Sequence, residues 1–278
     1  MITSPQNPRV KEVARLRDAR HRRRAGRYLI DGARELLRAI ESRVALETVF
    51  YCRELCRTAD SQAVLARLDA LNVERCEVAP RVLEKLAFGD RAEGVLAVAI
   101  TPQTRLDQIQ LPPSPLVAVL SGLEKPGNIG AVLRSADAAG VSAVIVADGQ
   151  VDLFNPNCIR ASLGTIFEMP LATASSSETL DWLRANGLAI FAALPTAELE
   201  YTRANLSGPA ALVLGSEVEG LSSLWHAPGV TSIRLPMLGL ADSLNVSATA
   251  AVLFYEALRQ RLSLRSSSIA EFPQPRSS

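Results

Sequence analysis

The chain lacks any apolar run long enough to cross a bilayer, so no membrane span is expected. It has only two histidines, His21 and His226. Its four cysteines, Cys52, Cys56, Cys76 and Cys158, include no C-x-x-C pair. That spacing argues against a zinc site, and the chain length of 278 residues argues against a disulfide framework. No metal is expected, and the thiols read as the reduced, mostly buried cysteines of a cytoplasmic protein. No apolar core follows the opening Met-Ile-Thr-Ser-Pro, so no secretory signal is expected. There is no G-x-x-x-x-G-K-[ST] phosphate loop and no G-x-G-x-x-G after a strand. A nucleotide-dependent oxidoreductase therefore lacks its fingerprint. His226, in "SLWHAP", has no partners for a Ser-His-Asp arrangement. The formal net charge is +1, so net charge alone names no partner.

What is present is a hydrophobic content of 48%, enough for sizeable cores in one large or two ordinary domains. Charge is unevenly spread. Arg9, Lys11, Arg15, Arg17, Arg20, Arg22, Arg23, Arg24 and Arg27 are opposed between Arg9 and Arg27 only by Glu12 and Asp18. A basic end on a near-neutral chain points to a polyanion. Arg9–Arg24 reads as one basic helix. Helical spacing at 33–42, 62–71 and 82–86, with strands at 46–51 and 94–100, makes residues 1–103 a small α/β domain. Residues 104–114, proline-rich and weakly periodic, read as a linker. From 115 to 262 strands alternate with helices, which implies a mostly parallel sheet covered on both faces. The Ser-rich segment 263–278 reads as a disordered tail.

Three glycine-rich corners stand out in the second half. In "EKPGNIGAVLRSADAAG" (124–140), Asn128 is placed to cap a helix whose buried stripe is Ile129, Val132, Leu133 and Ala136. Arg134 falls off that stripe, with Gly130, Asp137 and Ala138, and Gly140 closes the helix. In "LVLGSEVEGLS" (212–222), an apolar strand ends at Gly215, putting Ser216 and Glu217 at the edge where open α/β sheets bind ligands. In "LPMLGLADSLNVSATAAVLFYEALRQR" (235–261), Ser243 can cap a long apolar helix, with Asn245 in its first turn. Ala248, Ala250 and Ala251 would permit close backbone approach. Each corner alone is compatible with plain caps and core packing.

Together, in this order and spacing, the three corners resemble the sequence motifs of the SpoU (TrmH) family of RNA ribose 2′-O-methyltransferases, of the SPOUT class. The resemblance implies a C-terminal SPOUT α/β trefoil-knot domain with a mostly parallel sheet, preceded by a small L30e-like α/β substrate-binding domain. It implies S-adenosylmethionine (AdoMet) as cofactor, held by Leu194, Pro195 and Thr196, by Leu214, Gly215 and Ser216, and by Ile233, Leu235, Met237, Ser243, Leu244 and Asn245. It assigns catalysis to Arg134, with Asn128, Glu217, Ser243 and Asn245 completing a polar wall. A homodimer is implied as well.

A ribose hydroxyl is a poor nucleophile and must shed its proton as it attacks the methyl group. A guanidinium stays protonated in ordinary surroundings, so Arg134 either acts as base after perturbation or clamps a phosphate and stabilises the developing alkoxide. Arg9, Lys11, Arg20, Arg22, Arg23, Arg24 and Arg27 are the residues expected to hold RNA backbone, supplying affinity without sequence. Ribosomal RNA is the expected substrate. Transfer RNA, or a catalytically silent RNA-binding factor on the same fold, are the alternatives.

Overall fold

The computed structural model describes residues 1–88, 93–149, 151–216 and 220–269, with side chains to 264. In chain order the elements are α1 (Pro8–Arg15), α2 (Ala19–Ala25), β1 (Arg27–Asp31), α3 (Ala33–Glu41), β2 (Leu46–Tyr51), α4 (Ala59–Arg67), β3 (Glu74–Glu77), α5 (Pro80–Leu86) and β4 (Val95–Ile100). They continue with β5 (Leu116–Ser121), α6 (Pro126–Ala139), β6 (Ala143–Ala147), α7 (Pro156–Ala161), β7 (Leu171–Ala174), α8 (Ser176–Ala185), β8 (Ala189–Ala193), β9 (Leu199–Glu200), β10 (Ala210–Leu214), β11 (Val230–Arg234) and α9 (Val246–Ile269). The chain forms two compact units. The first is Met1–Gln103 with Lys125–Arg134 and Val151–Glu168; the second is Thr104–Glu124, Ser135–Gln150 and Met169–Ser278.

The first unit is built on a four-stranded sheet, β1-β4-β2-β3, antiparallel except for the parallel β2–β3 pair. Val10, Leu29, Phe50, Leu83 and Leu96 meet in its core. The basic segment is not one helix. Asp18 adopts an extended conformation and its carboxylate accepts from the His21 N–H, so it N-caps α2 and separates it from α1. Gly26, at φ +61°, then ends α2 and lets β1 begin at once. β1 and β3 lie beyond the sequence reading: β1 begins one residue after the basic α2, and β3 is a charged edge strand, Glu-Arg-Cys-Glu.

The second unit carries a seven-stranded sheet, β7-β6-β5-β10-β8-β11-β9, parallel throughout. Its central strands β5, β6 and β10 are buried at every position, which is why they read as unbroken apolar runs. Sequence order reverses between β5 and β10, since β6 and β7 lie on one side and β8, β11 and β9 on the other. That reversal is where ligands collect at the C-terminal strand edges of open α/β sheets. In α9, Val246, Ala250, Leu253, Phe254 and Ala257 are buried at helical spacing. The Arg261 guanidinium donates to the carbonyls of Ser114, Pro115, Leu206 and Gly208.

Three boundaries differ from the sequence expectation. Residues 104–114 are not a free linker: the Thr173 N–H donates to the Thr104 carbonyl at 2.9 Å, and Leu106, Ile109 and Leu111 pack on the core of the second unit. The expected tail continues α9 as far as Ile269; its remainder, 270–278, lies outside the described residues. α6 starts at Pro126, with proline in the first helical position where a missing N–H costs nothing. Asn128 is therefore inside the first turn, its N–H bonded to the Lys125 carbonyl, and does not precede the helix as a cap.

Candidate active site

The C-terminal ends of β8, β10 and β11 lie side by side, and the loops leaving them enclose a cleft of about 320 Å³. Ala193, Leu194 and Pro195 come from the first loop, and Leu214, Gly215 and Ser216 from the second. Ile233, Leu235 and Met237, then Ser243 and Leu244, come from the third. These strand ends hold the cleft for a simple reason: each strand is anchored by ladder bonds up to its last residue, and the chain then leaves the sheet. The Leu194 N–H still donates to the Ile233 carbonyl at 2.8 Å, tying the first loop to β11.

Ser216 and Gly220 exchange backbone hydrogen bonds of 3.2 and 3.1 Å, and Gly220 takes φ +69°. Gly215 packs against this pair so closely that a Cβ would lie 2.5 Å from the Gly220 carbonyl group and 2.8 Å from the Leu221 nitrogen. Only glycine fits there.

Ten of the twelve positions expected to hold the cofactor line the cleft; Thr196 and Asn245 do not. Asn245 is instead the N-cap of α9, accepting from the backbone N–H and the hydroxyl of Ser247 at 2.9 and 2.6 Å. That corrects the expected cap at Ser243, whose exposed side chain lines the cleft. Gly220, Leu221, Asp242, Val246 and Thr249 line it as well. Nothing in their local pattern signalled this, because the cleft is assembled from separate loops. Asp242 is the only ionisable side chain among the described lining residues. Glu217 lies outside the described residues.

Asn128 and Arg134 stand on the first turns of α6, in the first unit. Arg134 is exposed and makes no ion pair among the described residues, whereas Ile129, Val132, Leu133 and Ala136 are fully buried as the spacing predicts. Gly130 is not on the open face. It is buried, and a Cβ there would lie 2.4 Å from the Cys158 carbonyl oxygen and 2.7 Å from Ala161 Cβ, so α6 and α7 touch backbone to backbone. Beneath that contact the Cys158 thiol is pushed up to about 12 by burial, which removes it as a nucleophile.

The basic residues divide. Lys11, Arg20, Arg23 and Arg24 are exposed. Arg22 is not: its side chain is 3% exposed, paired with Asp152 at 2.6 Å and donating to the Leu16 and Arg17 carbonyls. It belongs to the core, because the break at Asp18 turns its face of α2 inward. Arg9 pairs with Glu74 and lies over the Phe50 ring, and Arg27 pairs with Glu47 at 2.7 Å, so both are already neutralised. Arg22→Ala is expected to cost about 3 kcal/mol of stability by leaving Asp152 without its partner. Arg23→Ala and Arg24→Ala should leave the unfolding midpoint unchanged and reduce the salt slope of RNA binding by about one each. Denaturant unfolding and salt titrations separate the two outcomes.

Among the described residues no group of three or more His, Cys, Asp or Glu could hold a metal ion, and no helix is long and apolar enough to cross a membrane. A parallel sheet with an apolar, nucleoside-sized cleft at its strand ends, where loop backbone and hydroxyls supply the polar groups, defines an α/β protein that binds a nucleoside-like cofactor. Residues 115–255 match the model of the SpoU rRNA Methylase family, and residues 7–97 that of the MRM3-like substrate binding domain. The chain belongs to the SpoU rRNA methylase family. It is 32% identical to the 23S rRNA (uridine(2479)-2′-O)-methyltransferase of Streptomyces viridochromogenes over 95% of this chain and 93% of that protein. A crystal structure of an RNA 2′-O ribose methyltransferase matches 94% of this chain and 99% of its own at 47% identity, with TM-score 0.83. The SpoU methyltransferase AviRb from Streptomyces viridochromogenes, in complex with AdoMet, matches 93% of this chain and 99% of its own at 29% identity, with TM-score 0.84. The fold is thus that of the SPOUT methyltransferases, with the substrate-binding domain in front.

Proposed function

We propose that this chain transfers a methyl group from AdoMet to a ribose 2′-hydroxyl of ribosomal RNA. One observation carries the reading: the three loops that the family resemblance assigns to the cofactor meet in a single cleft in a chain of the SpoU family. The residues present fit the cofactor. The cleft has the size for an adenosine, its walls are mainly aliphatic, and the glycine at 215 lets the Gly220–Leu221 backbone close up against the strand end as one wall. When bound, AdoMet supplies an electrophilic methyl group on a sulfonium.

The chain's own residues do the rest. Backbone groups at Leu194, Gly215, Ile233 and Leu244 orient the adenosine, and Asp242 and Ser243 line the same cleft. Arg134 meets the ribose hydroxyl and its neighbouring phosphate, and stabilises the oxygen as it loses its proton. Asn128 orients Arg134 or the ribose. Asn245 acts through the start of α9, which it caps, and so positions Ser243 and Leu244 beside it. Glu217 is assigned to the same polar wall by motif alone. Lys11, Arg20, Arg23 and Arg24 hold RNA backbone. A second copy of the chain covers the fully exposed Leu238 and Leu240 and the half-exposed Tyr255, making a homodimer. The working place is the cytoplasm, where ribosomal RNA is made and assembled.

Labelled AdoMet, unmodified 23S rRNA, ribosomal particles and transfer RNA test the proposal in parallel. Label is expected on ribosomal RNA, naked or in particles. Label on transfer RNA only would move the substrate. AdoMet binding with no labelled RNA of any kind would favour the silent RNA-binding factor.

A further inference from the structure

The first unit contains a second cavity of about 320 Å³, lined in part by Gly32, Arg34, Glu35, Thr58, Glu93 and Arg160. Most of its charges are already matched. Arg160 pairs with Asp31 at 2.7 Å, Arg34 lies 3.6 Å from Asp60, and Glu93 accepts from the Ala33 N–H at 2.8 Å. Glu35 is the exception. It is 8% exposed, yet its carboxylate accepts only from its own backbone N–H among the described residues. Gly32 holds φ +127°, and a Cβ there would lie 2.2 Å from Glu35 Oε2. The absent side chain at position 32 is what leaves room for the carboxylate. Burial, with Glu93 nearby, raises the Glu35 carboxyl above its ordinary range. A buried acceptor of this kind is costly unless a ligand satisfies it.

We infer that this cavity receives an unstacked guanine base of the RNA and that Glu35 reads its Watson–Crick edge. Guanine alone among the four bases presents two adjacent donors, N1–H and the 2-amino group, which match the two oxygens of one carboxylate. Adenine and cytosine set a ring-nitrogen lone pair against it, and uracil flanks its one N–H with carbonyls. Arg34 and Arg160 on the same wall offer donors to the guanine O6 or to a phosphate. Base recognition in single-stranded loops by such pockets is the usual route to RNA specificity. The inference rests on the RNA-directed reading above for the source of the base, while base recognition itself is tested separately.

The full chain, saturated with AdoMet to fill the other cleft, is titrated calorimetrically with GMP, IMP, AMP, CMP and UMP. GMP is expected to bind about 10-fold or more tightly than each of the others, including IMP, which lacks only the 2-amino group. Glu35→Gln should abolish that preference and leave AdoMet affinity unchanged. Comparable affinity for GMP and IMP in the unaltered chain overturns the inference and needs no variant. A guanine preference that survives Glu35→Gln overturns it as well. If guanine selectivity is present but no RNA is methylated, the pocket stands and the enzymatic reading fails; the reverse result rejects the pocket alone.

Discussion

Replacing Arg134 with alanine is expected to lower kcat for methyl transfer about 10²- to 10³-fold, the usual cost of removing one preorganised donor from a developing oxyanion. AdoMet affinity should not change. The apolar stripe of α6 is complete without Arg134, whose exposed guanidinium has no ion pair among the described residues. A cation left unspent on an otherwise well-packed helix costs nothing to stability when removed, so the loss should be confined to chemistry. Arg134→Lys tests what the planar fork adds to the charge. A point charge keeps part of the electrostatic stabilisation but loses the planar fork that holds a phosphate. Partial recovery with lysine, read as kcat under single-turnover conditions with KM for RNA measured alongside, is expected if both the charge and the fork contribute.

Gly215→Ala is the second large effect, on binding. The new Cβ would press on the Gly220 carbonyl and the Leu221 nitrogen, which are backbone atoms without a flexible end to yield. Relief requires the Ser216–Gly220 pair to shift, and that pair forms one wall of the cleft. Overpacking of this kind costs about 1–3 kcal/mol, so AdoMet affinity should fall roughly 5- to 150-fold. Isothermal titration reads it directly. Gly229→Ala, at an exposed turn with no atom near the added Cβ but at φ +86°, controls for plain backbone strain. It should lower stability slightly and leave AdoMet affinity unchanged.

The cleft was legible in the sequence to an unusual extent, for a physical reason. Parallel strands buried on both faces show as unbroken apolar runs, and whatever follows them must sit at the sheet edge. Gly215 and Ser216 could therefore be placed beside a ligand without coordinates, whereas 194–196 and Leu235 came from the family resemblance. The basic face was less legible. Charge along 9–27 says nothing about which arginines a helix break will turn inward, and Asp18 turned Arg22 into the core. The caps misled for a related reason. Asn128, Ser243 and Asn245 are all good cap residues, and only the helix starts at Pro126 and Val246 show that Asn245 alone does that work. Asp242 and Thr249 carry no local signal, because their importance comes from loops far apart in sequence meeting in space. Threading of the chain is likewise invisible to periodicity, and the knot entered through family resemblance alone.

The proposed methyl acceptor is a ribose oxygen and not a base. Alkaline hydrolysis of ribosomal RNA labelled by this protein tests it most directly, because a 2′-O-methyl group blocks cleavage of the adjoining linkage. The label is expected in an alkali-resistant dinucleotide, from the unaltered protein and not from Arg134→Ala. Label recovered in ordinary mononucleotides would place the methyl group on a base and contradict it.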